Sequence, residues 1–361
     1  MEIDNNSTVN QNIKSLLDIL AEAEKQNAAD VFIIEGEDIA FRINGKIVRQ
    51  GYGRFKEDII QGYAIELYHM ADNRNISLLE KGDDIFVVRY NKECGFRVSA
   101  FKQQGRISIV LRKIRYEISD TFEEIPECIA DISKYKRGLV IIAGERGSGI
   151  TTTAAYIINR INHSRNCYIV TIGEQTEFLH KPDKSIISQR IIRSDSEKDL
   201  NAYYTALKAS ADVICTDEIR NAEKAEALIE LAEAGCLVIA ELHAIGAANT
   251  INKLIDMFPP ENRHQVSARL SKVLECIVSQ QLIFKEDETA AAAFEFMRAD
   301  SNVKKLIHDD KINQLESVIN SDSRMISMDS SIFELFRMGK IDMETALNYA
   351  VNKEAMERNM R

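Results

Sequence analysis

Apolar residues follow two rhythms along this chain, and the change falls near residue 138. Upstream, short runs mix apolar and polar positions. Ile13, Leu16, Leu17, Leu20 and Ala23 recur at helical spacing, so residues 11–26 are predicted to form a helix. The stretches 30–34, 39–43 and 46–49 predict short strands. Asn44-Gly45 between the last two predicts a hairpin turn, since both residues tolerate positive φ. An amphipathic pattern over 57–70 predicts a helix, and partial alternation over 83–90, 94–103 and 106–112 predicts three more strands. Residues 1–118 are thus expected to be a small α+β domain with a mostly antiparallel sheet. Residues 119–137, with Pro126 among charged neighbours, read as a connector or hinge.

Downstream the pattern changes to blocks. Near-continuous apolar runs at 139–143, 167–172, 213–216, 237–242 and 277–284 fit strands covered on both faces. Helical patterns fall between and after them, at 151–162, 199–211, 222–234, 247–257 and 263–276. Strand alternating with helix predicts an α/β core with parallel strands over 138–298. Residues 299–361 read as a helical subdomain, with helices at 301–308, 311–320, 330–338 and 342–351.

Composition narrows the class. Hydrophobic residues make up 45% of the 361, ordinary for a soluble globular protein. No run of 18 apolar residues occurs, so no direct membrane insertion is expected. The start, Met1-Glu-Ile-Asp-Asn-Asn, is acidic and polar, unlike a signal peptide. A net charge of −10 argues against nucleic acid as the main partner. Six cysteines form no C-x-x-C pair, which disfavours zinc and fits buried free thiols in a reducing cytoplasm.

The candidate chemistry centres on Gly144-Glu-Arg-Gly-Ser-Gly-Ile-Thr151, between a predicted strand and a predicted helix. This is the context of a phosphate-binding loop, whose pattern is G-x-x-x-x-G-K-[ST]. Gly144, Gly149 and Thr151 fit, but Ile150 stands where the lysine belongs. Gly147, Ser148 and Gly149 offer backbone N–H groups to phosphates, and the Thr151 hydroxyl can ligate Mg²⁺. Arg146 is either a solvated loop arginine or a partial substitute for the lysine. Val213-Ile-Cys-Thr-Asp217-Glu218 is an apolar strand ending in two acids. Asp217 would then hold the Mg²⁺ shell, and Glu218 would orient or deprotonate the attacking water. Parallel strands end on the same edge of a sheet, so Glu174, Glu177 and His243, at two other strand ends, could gather at the same place.

Several stretches together resemble a known family. They are Asp30 to Ile34 with Arg42-Ile-Asn-Gly-Lys46, Phe96-Arg-Val-Ser-Ala-Phe101, Arg137-Gly-Leu-Val140 and the glycine loop. Further along come Thr171-Ile172 with Glu177-Phe178, Asp212-Val-Ile with Glu218-Ile-Arg220, Leu242-His243 and Ile277-Val-Ser-Gln-Gln-Leu282. Met328-Asp-Ser-Ser331, Leu335 and Glu344-Thr-Ala-Leu347 complete the set. The chain resembles the PilT family of type IV pilus retraction ATPases, within the secretion-ATPase superfamily, over nearly all of residues 13–355. The resemblance implies a P-loop (RecA-like) ATPase core, a smaller N-terminal α+β (PAS-like) domain and the C-terminal helical subdomain. It implies a cytoplasmic homohexamer at the base of the pilus machine, against the inner-membrane platform protein. It also implies ATP and Mg²⁺ bound between the two domains, with arginines of the N-terminal domain or a neighbour reaching the phosphates. Arg97 and Arg112 match that role, and Glu218, Glu174 and His243 match the catalytic positions.

The departures from the family pattern cluster in its chemistry. Besides Ile150, the acidic box reads Gly173-Glu174-Gln175 for Glu-Asp-Pro. Cys236 replaces the first histidine of the histidine box. The retraction motif reads Asn302-Val-Lys-Lys-Leu-Ile-His308 and keeps neither arginine. A charged hydrogen bond to phosphate contributes roughly 1.5–3 kcal/mol, so losing the lysine weakens nucleotide binding by about tenfold to a hundredfold. Two functions therefore stand side by side. One is a pilus retraction motor with weakened hydrolysis. The other is a catalytically impaired paralogue that binds nucleotide and regulates, or assembles with, an active pilus ATPase.

Overall fold

The computed structural model describes residues 14–43, 45–71, 82–103, 105–115, 125–174, 177–192, 197–284 and 290–360. Ile13, the turn residue Asn44, residues 119–124 of the connector and Gln175 lie outside the described residues. The chain divides into two compact units: Met1–Glu117 with Thr176–Leu179, and Ile118–Gln175 with His180–Arg361.

The first unit is built on a six-stranded sheet. Its strands are β1 (Asp30–Ile34), β2 (Asp38–Ile43), β3 (Lys46–Arg54), β4 (Asp83–Arg89), β5 (Cys94–Gln103) and β6 (Arg106–Arg115). They lie in the order β3-β2-β1-β6-β5-β4, and every pairing is antiparallel. Gly45 takes a φ of +76° between β2 and β3, as the turn there requires. The helices Leu16–Lys25 and Glu57–Met70 share one core with the sheet, in which Ile19, Leu20, Leu67 and Tyr68 meet Val31, Phe41, Val98 and Leu111. Ser15 and Asp18 form a capping box that fixes where the first helix starts. Leu17 is 49% exposed, and Ile19 is fully buried. The spacing of Leu16, Ile19, Leu20 and Ala23 is the tighter match to one helical face.

The second unit holds a seven-stranded sheet. Its strands are β7 (Gly138–Gly144), β8 (Tyr168–Gly173), β9 (Ile186–Ile191), β10 (Val213–Glu218), β11 (Leu237–Leu242), β12 (Leu274–Phe284) and β13 (Ala290–Arg298). The order is β13-β12-β7-β11-β10-β8-β9, parallel throughout except for the β12–β13 pair. Every residue of β7 and β11 is buried, which is why their sequences read as near-continuous apolar blocks, broken in β11 only by Glu241. The two strands that the pattern did not announce, β9 and β13, are the edges. β9 has no buried residue along its length, and β13 opens with four alanines, which favour helix in isolation. Pro259 and Pro260 start a helix at Pro260–Val273, earlier than its apolar pattern suggested, and β12 begins directly after it.

Residues 125–137 pack into this unit. Ile129 and Ile132 are fully buried in one cluster with Val140, Ile142 and Ile158. The helical tail docks on β13: Phe296 bridges to Ile326, and Phe294 N–H donates to Ser331 Oγ at 3.0 Å. Glu295, between them, accepts the Ala247 N–H at 2.5 Å, which serves the helix Ala247–Asp256 that has no side-chain cap of its own. All six cysteines are free, and Cys94, Cys236 and Cys276 are buried.

His180 begins the longer stretch of this unit and is 8% exposed. Burial holds its imidazole at a pKa of about 4, below its ordinary 6.5. The unfolded chain therefore binds the proton first, and the penalty is absent above pH 6.5 and grows as the pH falls towards 4. The full effect is on the order of 3 kcal/mol. We expect His180→Phe to flatten the decline in melting temperature between pH 7 and pH 5. An unchanged slope would show that other groups drive it.

Candidate functional site

β7 ends at Gly144, and the helix Ile150–Ser164 begins across the loop. Gly147 and Gly149 hold φ of +83° and +86°, a region glycine enters freely. Gly149 is also the N-cap residue and makes no side-chain capping bond, so the helix presents its first N–H groups and positive dipole end to the loop. That is an anion-holding arrangement. The loop sits hard against β12. A Cβ on Gly144 would stand 2.6 Å from the Gln280 carbonyl oxygen, and one on Gly149 would stand 2.8 Å from Gln280 Nε2. The Gln280 side chain, 4% exposed, donates from Nε2 to the Ser148 carbonyl at 2.7 Å and accepts from Thr153 Oγ1 at 2.6 Å. One amide thus ties the loop to its own helix. The Ser148 hydroxyl is buried and unpartnered, and it is turned towards Gly144.

At the lysine position, Ile150 is 4% exposed and packs with Val140, Ile142, Ala154 and Ile157 beneath the loop. Arg146 lies on the exposed part of the loop. The helix start therefore offers backbone donors and a hydroxyl to an anion, and an apolar side chain where the motif has a charge.

The acidic groups sit at the ends of β8, β10 and β11. Thr151 Oγ1 donates to Glu241 Oε2 at 3.0 Å, and Glu241 is 8% exposed. Asp217 has both oxygens engaged: Oδ1 accepts from Lys224 Nζ at 2.5 Å and Oδ2 from the Glu174 N–H at 2.7 Å. Lys224 is 1% exposed. Burial pulls its pKa down, but the Tyr203 hydroxyl and Asp217 carboxylate outweigh that and hold it above the ordinary lysine value. Gly173 lies beside this aspartate. A Cβ there would stand 3.0 Å from Asp217 Oδ2, so the glycine in the acidic box makes room for Asp217. Arg220 joins the other two acids, with Nε to Glu218 Oε2 at 3.0 Å and Nη1 to Glu174 Oε1. These contacts raise the arginine above its ordinary pKa.

His243 Nδ1 lies 3.1 Å from the Gly144 carbonyl oxygen. A carbonyl only accepts, so Nδ1 carries the hydrogen. Nε2 then faces Glu218 Oε2 at 3.8 Å, too far for a direct hydrogen bond. Lys253 Nζ donates to the His243 carbonyl at 2.5 Å and steadies the backbone.

Thus Gly144, Gly147, Ser148, Gly149, Thr151, Glu174, Asp217, Glu218 and His243 all lie at this sheet edge of the second unit. Arg97 and Arg112 belong to the first unit, opposite each other across β5 and β6. Burial, then the neighbouring Arg112 charge, lower the Arg97 pKa, while Glu177, also in the first unit, opposes the shift. Arg112 Nε approaches Asp30 Oδ1 at 3.9 Å. Sequence reasoning assigned no role to Lys224, Arg220, Glu241 or Gln280. Three of them left a signal, as polar residues inside apolar stretches: Glu241 and Gln280 in strands, and Lys224 on the face of Leu228 and Leu231.

The family described as Type II/IV secretion system protein matches residues 5–361. A twitching motility protein of Neisseria gonorrhoeae is 36% identical over 265 residues, 72% of this chain and 71% of its own. The type IV pilus retraction ATPase PilT of Pseudomonas aeruginosa is 30% identical over 335 residues, 92% of this chain and 96% of its own. The type IV pilus ATPase PilU of the same organism is 28% identical over 331 residues, 90% and 86%. Among solved structures, the pilus retraction motor PilT with bound ADP superposes at a TM-score of 0.84, with 29% identity over 96% of this chain and 99% of that one.

The buried pair generates a stability prediction. Asp217→Asn leaves the Lys224 charge buried without its counter-ion, a change that costs roughly 3–5 kcal/mol. Urea denaturation should show that loss, and adding Lys224→Met to the same chain should recover most of it. Equal stability of Asp217→Asn and the unaltered protein would show that the lysine does not depend on this partner.

Proposed function

We propose, from the premise that this chain belongs to the type II/IV secretion system protein family and is a PilT-like secretion ATPase, that it is a nucleotide-dependent component of type IV pilus machinery with weakened hydrolysis. The observation that carries the proposal is the uncapped helix start at Gly149, which turns its donors into a glycine loop that also faces Glu218 and His243. In this reading Gly144, Gly147, Ser148, Gly149 and Thr151 cradle the phosphates of ATP through backbone and hydroxyl groups. Glu218 orients the attacking water, with Glu174 and His243 beside it. Arg146, on the exposed part of the loop, is a cation that this unit offers to the phosphates. Mg²⁺, when bound, offsets phosphate charge. The protein works as a cytoplasmic homohexamer, peripheral at the base of the pilus machine, against the inner-membrane platform protein. Among the described residues no helix is long and apolar enough to cross a membrane.

A second reading has its own support. Position 150 carries no charge, Glu218 and Glu174 are both paired with Arg220, and the chain is similar to PilU as well as PilT. A paralogue impaired in catalysis, holding nucleotide as a partner of an active pilus ATPase, fits those facts.

Two measurements separate the readings. Phosphate release by the purified protein should be slow, and Glu218→Gln should abolish it while nucleotide binding persists, because the amide keeps the shape and cannot take a proton. Undiminished release by that variant would assign the activity to another base or to a contaminant. By calorimetry, Ile150→Lys should tighten MgATP binding by at least about tenfold, the lower end for one charge-assisted contact. If neither protein binds nucleotide, both readings fail.

A further inference from the structure

The geometry points to Glu241, with Thr151, as the protein's hold on the divalent cation that accompanies nucleotide. This inference rests on the nucleotide reading above. Asp217 is the acid that the strand-end pattern offers for the metal, but its oxygens are engaged by the buried Lys224 and by the Glu174 N–H. Glu241 lies one strand closer to the loop. β11 is hydrogen-bonded directly to β7, whereas β10 is separated from β7 by β11. Its carboxylate already accepts from Thr151 Oγ1 at 3.0 Å, the hydroxyl that a phosphate loop turns to the metal. The residue is 8% exposed at the end of a strand that is otherwise apolar apart from this one acid. The buried Ser148 hydroxyl in the same loop has no hydrogen-bond partner among the described residues.

Charge gives the reason for such a site. Position 150 supplies no positive charge where the motif has one, and Glu241 adds a negative charge beside the helix start. Together they leave the loop two units less favourable to phosphate than a lysine-bearing loop with a neutral residue there. A divalent cation supplies two units. Mg²⁺ is commonly held by one or two carboxylates together with substrate phosphates and waters. The residues here fit that pattern and no more: among the described residues no group of three or more His, Cys, Asp or Glu is placed to hold a metal alone. The cation should therefore bind only together with nucleotide, and nucleotide should depend on the cation more steeply than in a loop with its lysine.

The test uses the full chain, with Mn²⁺ as the probe and ADP as the nucleotide. Free Mn²⁺ is read by electron paramagnetic resonance and ADP affinity by calorimetry with and without metal. The unaltered protein should retain Mn²⁺ with ADP present and not without it. Glu241→Gln should weaken Mn²⁺ retention at saturating ADP by at least tenfold, while metal-free ADP binds as well as before or better, because a carboxylate has left the phosphate site. Glu241→Asp, which keeps the charge but draws the carboxylate back by one methylene, should weaken Mn²⁺ retention with little change in metal-free ADP binding, and it answers the question if Glu241→Gln does not fold. Unchanged Mn²⁺ retention in both variants, or a parallel fall of metal-bound and metal-free ADP affinity, would overturn the assignment and leave Glu241 a structural partner of Thr151. ADP that binds neither with nor without metal to the unaltered protein would instead overturn the nucleotide reading, and this inference with it.

Discussion

The side-chain amide of Gln280 is the contact on which the glycine loop depends. It is buried in β12, and each end has one partner, the Ser148 carbonyl and the Thr153 hydroxyl. The loop runs between those partners, so its shape is fixed by a hydrogen-bonded brace from a neighbouring strand. Gly149 follows from the brace, since a side chain there would collide with Gln280 Nε2, and Gly144 follows from the strand itself, since a side chain there would collide with the Gln280 backbone carbonyl. Burying an amide is tolerable only when both of its ends are satisfied, and here they are. The loop therefore keeps its glycine-loop shape with Ile150 at the lysine position. Ile150 is accommodated because it points into the apolar layer under the brace, where it adds to the packing of Val140 and Ile142.

Charge is rearranged around this fixed loop. A parallel sheet brings several strand ends to one edge, and acids gathered there repel unless cations divide them. Lys224 neutralises Asp217 and Arg220 joins Glu218 to Glu174, so three of the carboxylates are already paired in the protein. Glu241 accepts a hydroxyl hydrogen instead. Gly173 is part of the same arrangement, since the Asp217 carboxylate fills the space next to it that a side chain would need. The glycine in the acidic box and the placement of the Asp217 carboxylate therefore go together. The helical tail is tied to the same unit through β13, whose Glu295 accepts an N–H from the helix that follows His243.

Much of this was legible in the sequence, and physics explains where it was not. Strands such as β7 and β11 announce themselves because burial on both faces demands near-continuous apolar runs. The edge strands β9 and β13 do not, because one side of each is released from that demand, and the alanines of β13 favour helix until β12 pairs with them. The loop was visible from its glycines. The brace was not, because Gln280 acts across 132 residues of sequence and its meaning lies in which carbonyl it reaches. The same holds for Lys224 and Asp217. A lysine on the apolar face of a helix signals a buried partner, but only the fold identifies it.

The central claim is that this loop holds nucleotide without a lysine, through backbone donors and Thr151. A crystal structure grown with ADP and Mg²⁺ tests it most directly. The account predicts diphosphate density within hydrogen-bond reach of the backbone N–H groups of Gly147 to Thr151, with the Gln280 contacts to Ser148 and Thr153 intact. A loop without density at saturating ADP, or ADP held elsewhere on the chain, would contradict it.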